Sequence, residues 1–259
     1  MLRTRVIPVL LLRNAGLVKG KQFKDHKYVG DPINAVKIFN EKEVDELVFL
    51  DISTTSKGED PNYELIADIA SEAFMPFGYG GGINNVQQIE KLFNLGVEKT
   101  VINTAAFKNP DLIREASSLA GAQSIVVSMD VKKTFFGSYE VYVENGQTKT
   151  KKDPVEYALE MQDLGAGELI VTTIDREGTN KGYDVDLIKK VTDAVDIPVV
   201  ANGGAGSIAD FAKAINQGNA SAVAAGDMFT FHGKHKAVLI TYPEYEKLEE
   251  MLNIEDYYE

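Results

Sequence analysis

The chain is expected to form a single α/β domain in which eight parallel strands alternate with helices and close into a (β/α)8 barrel. Three observations lead there. Short runs of β-branched and aliphatic residues, the kind that suit strands buried on both faces, recur along almost the whole 259 residues, separated by helical patterns. An internal repeat divides the chain into two equivalent halves. The length matches the roughly 250 residues usual for this architecture.

The strands are read at approximately 5–11, 46–52, 75–79, 99–103, 124–130, 168–173, 197–201 and 220–225. RVIPVLL and ELVFLDI are nearly continuous apolar runs. MPFGY leads into Gly80-Gly81-Gly82, after which Asn84 to Leu95 spaces its apolar residues three or four apart, as an amphipathic helix on a sheet requires. KTVIN follows, then SIVVSMD, which ends on Asp130. ELIVTT runs into the polar loop Asp175-Arg176-Glu177-Gly178-Thr179. IPVVA leads into Asn202-Gly203-Gly204 and a second amphipathic stretch, Ser207 to Gln217, and ASAVAA ends at Gly226. Between the fifth and sixth strands, KKTFFGSYEVYVENGQTKTKK (132–152) alternates apolar and polar residues around Asn145-Gly146, and is read as one inserted β-hairpin.

Residues 75–107 and 197–229 align without gaps at a shift of 122. Pro76, Gly81, Gly82, Lys91, Asn94, Gly96, Val101 and Phe107 recur as Pro198, Gly203, Gly204, Lys213, Asn216, Gly218, Val223 and Phe229. The same shift carries Glu46, Leu47 and Ile52 onto Glu168, Leu169 and Ile174. Residues 1–259 are therefore read as one domain of two half-barrels, about 1–122 and 123–240, with a C-terminal tail at about 241–259 that begins as a helix. A doubly wound open sheet is the alternative.

Composition excludes several functions. With 27 Lys plus Arg against 39 Asp plus Glu, the net charge is −12, the wrong sign for neutralising a nucleic-acid backbone or an anionic membrane. No cysteine is present, so thiolate chemistry and disulfides are out. The apolar runs fall short of the roughly 20 residues that span a bilayer, and the N-terminus lacks the parts of a signal peptide, so a cytoplasmic location is expected. His26, His232 and His235 make no metal-ligand spacing, and neither metal nor cofactor is expected.

In such a barrel the site lies at the C-terminal ends of the strands. There the clusters around Gly81-Gly82 and Gly203-Gly204, each before a helix, read as two anion cradles or as tight turns. Asn103-Thr104 and Ala225-Gly226 lie beside them, and the Gly178 loop is placed to close over one. Asp130 is a candidate general acid or base, with Asp51 and Lys19 as further polar lining. At the position equivalent to Asp130 in the first half stands Leu11. At the opposite ends of the strands Arg5, Glu46, Lys99 and Glu168 suggest a ring of ion pairs, structural or acting as a gate.

Through VKG, DELVFLDI, GGGI, INTAA, the Asp130 strand, IDREGTNKGYD and GGAG, residues 1–232 resemble the HisF family, the cyclase subunit of imidazole glycerol phosphate synthase. The resemblance implies a lyase-type barrel that takes ammonia from a HisH-type glutaminase docked at the barrel bottom. It implies passage of that ammonia through the barrel to a bisphosphorylated substrate, where two aspartates act as acid and base. Asp130 matches one aspartate. Gly81, Gly82, Asn103, Thr104, Gly178, Gly203, Gly204, Ala225 and Gly226 match phosphate-site positions, and Arg5, Glu46, Lys99 and Glu168 match the family's ammonia gate. The chain departs from the pattern at Leu11, where the other aspartate belongs, and at Ala15, where a glycine belongs. Loss of one acid/base group typically removes on the order of 100- to 10,000-fold in rate. With AAGDMFTFHGKHKAVLITYP near the end, this resembles the WbuZ subgroup, HisF-like proteins associated with glycosyl amidation. That implies work beside an N-acetyl sugar amidotransferase in surface-polysaccharide biosynthesis. The alternatives are an authentic cyclase of histidine biosynthesis and a non-catalytic phosphosugar-binding scaffold.

Overall fold

The structure is a computed structural model, and it describes residues 4–233 and 235–252. The first half runs β1 (Arg5–Arg13), β2 (Gly16–Lys21), β3 (Lys24–Gly30), α1 (Pro32–Glu41), β4 (Leu47–Asp51), α2 (Thr54–Lys57), α3 (Tyr63–Glu72), β5 (Phe77–Gly80), α4 (Val86–Asn94), β6 (Lys99–Ile102), α5 (Thr104–Lys108) and α6 (Asp111–Ala120). The second runs β7 (Ile125–Lys133), β8 (Tyr139–Val143), β9 (Thr148–Lys149), α7 (Pro154–Asp163), β10 (Glu168–Thr173), α8 (Val185–Thr192), β11 (Val199–Asn202), α9 (Ile208–Asn216), β12 (Ala222–Ala225) and α10 (Asp227–Thr230). A two-stranded ribbon, β13 (Phe231–His232) and β14 (Ala237–Val238), and α11 (Tyr245–Leu252) follow.

Parallel pairing proceeds β1-β4-β5-β6-β7-β10-β11-β12 and returns to β1, with Arg5 opposite Ala222 and Pro8 opposite Ala225. The barrel is closed, so the open sheet is excluded. Its helices carry the capping chemistry their sequences suggest. The Asn85 side chain accepts from Gln88 N ahead of α4, and Ser207 and Asp210 form a reciprocal capping box at α9; each such cap is worth about 1 kcal/mol. Ile89 and Leu92 of α4 and Phe211 and Ala214 of α9 are buried against the sheet. A second, smaller cluster fills the lumen, with Ile7, Val48, Val101, Val126, Ile170 and Val200 beside the small Ala222 and Ala224. The C-terminal tail does begin as a helix. Leu248 of α11 is buried, and Tyr242 ahead of it donates to Val6 O at 3.0 Å. The acidic, aromatic end at 253–259 lies outside the described residues. No helix among them is long and apolar enough to cross a membrane.

The hairpin at 132–152 is present as β8–β9, an antiparallel extension of β7. It is not alone. Where the sequence suggests a single insertion, the structure has an equivalent one after β1, in which β2 pairs back on β1 and β3 on β2. Two features hide it. β3, KDHKYVG, is mostly exposed and polar, so it lacks strand alternation, and its turns are made by Asn14-Ala15 and Gln22-Phe23 rather than by an Asn-Gly pair. All four of these turn residues nevertheless adopt left-handed backbone, with φ of 50°, 65°, 52° and 62°, as tight hairpin turns demand.

Ala15 at φ 65° places a Cβ where only glycine is comfortable, a cost of about 1–2 kcal/mol. Ala15→Gly is expected to raise stability by about 0.5–1 kcal/mol, the relief being partly offset by the greater freedom of glycine in the unfolded chain. Thermal unfolding checks this, and a lower midpoint for the variant would contradict it.

Candidate functional site

Closure of the barrel brings the C-terminal ends of the strands around one cavity of about 480 Å3. Its floor is apolar, made by Val9 and Leu11 of β1, Leu50 of β4 and Val101 of β6. Its walls are polar, with Asn103, Asp130, Thr172, Asn202, Lys19 and Glu177. Gly81, Gly82, Thr104 and Lys108 border one side, and Arg13, Phe23 and His26 border the side covered by the first hairpin.

Asp130, from β7, borders this space with its carboxylate held by an amide rather than a cation. It is 8% exposed, and its Oδ2 accepts from Asn103 Nδ2 at 3.0 Å, while the same amide donates to Ser128 O at 2.9 Å. Burial pushes its pKa up to about 7. The Asn103 hydrogen bond opposes that shift and the nearby Glu177 carboxylate adds to it. Asp130 is therefore close to half-protonated at neutral pH. Leu11 borders the same cavity from β1 and supplies neither donor nor acceptor.

Asp51 also reaches the cavity, but its Oδ1 is engaged by Ser53 N at 2.8 Å and Ser53 Oγ at 2.6 Å, which ties it to the turn that follows β4. Lys19, from β2, is 5% exposed and forms a buried ion pair with Glu177. Gly81 and Gly82 have φ of 125° and 71°, and a Cβ on either would meet the Asp51 or Glu59 carbonyl oxygen at 2.4 or 2.8 Å. No other residue type fits those turns.

The second glycine cluster is placed differently. Gly226 borders the cavity, whereas Gly178, Gly203, Gly204 and Ala225 are not among the residues that line it. Segment 176–182 lies over the cluster. Gly182 N donates to Gly204 O at 2.8 Å, and Asn180 Nδ2 donates to Asp227 Oδ2 at 2.8 Å.

At the other end of the barrel the four charged residues do form a ring. Arg5 reaches Glu46 and Glu168, each at 2.5 Å, and Lys99 reaches the same two carboxylates at 2.9 and 3.1 Å. Both acids are buried, and Glu46 Oε1 has no hydrogen-bond partner. Burial lowers the Arg5 pKa, but the two carboxylates outweigh it, raising the value overall and keeping the guanidinium charged.

Sequence reasoning missed Phe23, His26 and Arg13, which reach the cavity only because of the unrecognised hairpin, and the partnership of Lys19 with Glu177. No local pattern signals a contact between residues 158 apart.

Comparison with known proteins accords with this geometry. A family model described as Histidine biosynthesis protein matches residues 5–236. The chain belongs to the HisF family. A Pseudomonas aeruginosa protein provisionally named imidazole glycerol phosphate synthase subunit hisF2 is 52% identical over 249 residues, covering 96% of this chain and 99% of its own. A Vibrio vulnificus protein, provisionally subunit hisF3, is 51% identical over 244 residues, 94% of each chain. A Leptospira borgpetersenii protein, provisionally subunit HisF, is 48% identical over 244 residues, 94% of this chain and 96% of its own. This HisF-like barrel thus belongs to a synthase family of lyase/cyclase type.

The raised Asp130 pKa has a measurable consequence. Between about pH 4 and about pH 7 the folded HisF-like chain holds a proton that an ordinary carboxyl of the unfolded chain has released, so this group subtracts from stability as pH rises through that window. Asp130→Asn is expected to gain stability relative to the parent from pH 4 to pH 7, by up to a few kcal/mol. Urea unfolding across that range checks it, and a difference that does not change with pH would place Asp130 in the ordinary carboxylate range.

Proposed function

We propose that this HisF-family chain is the ammonia-conducting subunit of a glutamine amidotransferase complex, with a HisH-type glutaminase docked at the barrel bottom. The observation that carries the reading is the ring of Arg5, Glu46, Lys99 and Glu168 beneath an apolar lumen. Ammonia is neutral and can enter an aliphatic passage, whereas the ammonium ion would have to shed its hydration at prohibitive cost. Glu46 Oε1, buried and without a donor, is available to accept from an arriving N–H. Above the ring the lumen is lined by aliphatic carbon, with the small Ala222 and Ala224 among the larger side chains. The upper cavity takes a phosphorylated small molecule, and the ammonia is used for sugar amidation by an N-acetyl sugar amidotransferase, as in the WbuZ subgroup. Leu11 supports this division of labour, because it removes a proton-transfer group at the top while the ring at the bottom is intact.

A second reading is the authentic cyclase of histidine biosynthesis, favoured by one observation: Asp130 is poised near neutrality inside the cavity. Supplying the HisF bisphosphate substrate and excess ammonium distinguishes the two. No imidazole glycerol phosphate is expected from the parent protein, and turnover of roughly 1 per second or more would establish the cyclase instead. Product only from Leu11→Asp would identify an intact substrate site disabled by that residue.

The channel reading has its own test, which needs no phosphate ligand. Mixed with the HisH-type glutaminase of its own organism, the barrel is expected to raise glutamate release at least tenfold, and Glu46→Gln or Lys99→Met to alter that coupling. A glutaminase rate indifferent to the barrel would leave only the scaffold.

A further inference from the structure

We propose that the two hairpins at the top of the barrel form a docking surface for a second protein, the enzyme that consumes the ammonia, and that this partner presents an acidic surface around an apolar pocket. The proposal deepens the reading of the barrel as an ammonia conduit, and it rests on that reading.

Charge is unevenly distributed along the chain. Residues 13–30 carry five Lys or Arg against one acid, and residues 132–152 carry five against two, whereas the remainder holds 17 cations and 36 acids. The two segments that fold as hairpins over the cavity are thus positive, on a body that is strongly negative. Lys21, Lys24 and Lys27 of the first hairpin and Lys133, Lys149 and Lys151 of the second are exposed, and none of the six forms an ion pair among the described residues. Both acids of the second hairpin are already engaged, Glu144 by Lys108 and Glu140 by Lys151 N, the latter at 3.0 Å. Attraction of an anionic small molecule would account for the lysines, but not for the apolar group that stands beside them.

The turn between β7 and β8 holds two adjacent phenylalanines in water. Phe135 and Phe136 are 98% and 94% exposed, and their rings meet edge to face with centroids 5.6 Å apart. The turn beneath them is fixed. Thr134 N donates to Ser138 O at 2.7 Å, the hydroxyls of the same two residues lie 2.7 Å apart, and Gly137 N donates to Thr134 O at 3.0 Å. Lys132 and Lys133 stand below, their ammonium groups 4.9 and 5.3 Å from the ring centres of Tyr142 and Tyr139. Two aromatic rings held in one shape and bordered by cations make an anchor that fits a complementary pocket with little loss of freedom on binding.

The anchor also stands in the right place. β7 leads from Asp130 in the cavity to the turn, roughly 15 Å further out, and the other turn of the same hairpin borders the cavity through Asn145 and Gln147. A protein seated on the phenylalanines and the lysines reaches the mouth from which ammonia leaves. Released into open water, ammonia would take up a proton and lose its access to an apolar passage, so an enzyme that uses it gains by docking here. A second copy of the chain fits this surface poorly. Top against top sets two positive faces together, and top against acidic body is a head-to-tail contact that does not close. The fixed geometry of the turn suits a pocket, where a fluid bilayer would ask for none.

The test measures binding of the full-length barrel to the purified N-acetyl sugar amidotransferase of its own organism, together with amidation by the three-protein mixture. The parent is expected to bind, and raising salt from about 50 to about 300 mM to weaken binding about tenfold. Phe135→Ser with Phe136→Ser, at positions that touch nothing in the core, is expected to weaken it at least about 30-fold, and Lys27→Glu with Lys149→Glu about tenfold. Phe74→Ser, an 88% exposed aromatic at the opposite end of the barrel, is expected to change nothing. With the phenylalanine variant, glutamine-dependent amidation should fall while glutaminase stimulation and amidation from added ammonium stay at the parent level. No complex with the amidotransferase, or equal binding by the parent and the phenylalanine variant, overturns the proposal. So does a loss, in that variant, of binding to phosphatidylglycerol vesicles or of self-association by sedimentation with no loss of amidotransferase binding. Failure of the conduit reading itself is seen separately, as a glutaminase that the parent barrel does not stimulate.

Discussion

Closing eight parallel strands into a ring forces alternate residues of every strand into one narrow lumen, and the rest of the molecule is arranged around that constraint. From bottom to top the inward residues read Arg5, Ile7, Val9, Leu11 on β1; Glu46, Val48, Leu50 on β4; Lys99, Val101, Asn103 along β6 and the residue after it; and Glu168, Ile170, Thr172 on β10. Each strand thus runs from charge through aliphatic carbon to the cavity. Two acids and two bases at the bottom cancel, so the lowest layer is neutral as a set although each member is ionised. Removing one member would leave a buried charge uncompensated, a loss of about 3–5 kcal/mol in comparable settings. The four side chains of the ring are therefore held as a set, each dependent on the others for its charge balance.

The two halves share a plan down to details that neither needs alone. Both carry an antiparallel hairpin directly after their first strand, β2–β3 after β1 and β8–β9 after β7. Both hairpins lean over the cavity: Phe23 and His26 reach it from one, Asn145 and Gln147 from the other. Against this common plan the differences stand out as chemistry. Leu11 stands in the first half where the second half has the carboxylate of Asp130, while the loops after β4 and β10 pack on their glycine turns in the same way. A symmetric scaffold has been given an asymmetric site.

Much of this was legible in the sequence because strand burial and repetition are local signals. The eight runs, the repeat and the charged starts of strands one, two, four and six sufficed to place the ring residues in one layer, and the end of SIVVSMD sufficed to aim Asp130 at the cavity. The first hairpin was not legible, since its outer strand is polar and its turns use Asn-Ala and Gln-Phe, residues that reach left-handed backbone only under tertiary constraint. The pairing of Lys19 with Glu177 was hidden for a different reason. It depends on how two loops of opposite halves settle together, and composition carries no record of which cation meets which acid.

The isolation of Asp130 ties the top of the barrel to the bottom. A cyclisation that needs an acid and a base in the same step draws on two groups of opposed protonation, and a leucine at the second position leaves one carboxyl to serve in turn. Burial has moved that carboxyl to the point where it is as readily neutral as charged. In its neutral form it places no fixed negative charge at the upper end of the lumen. A permanently ionised pair of aspartates there would favour ammonium over ammonia and hold it by charge. In the ammonia-conducting role proposed above, a single carboxyl near neutrality, hydrogen-bonded to Asn103 and faced by Leu11, would hold a neutral amine weakly and release it, as a conduit requires and a site that consumes its ammonia does not.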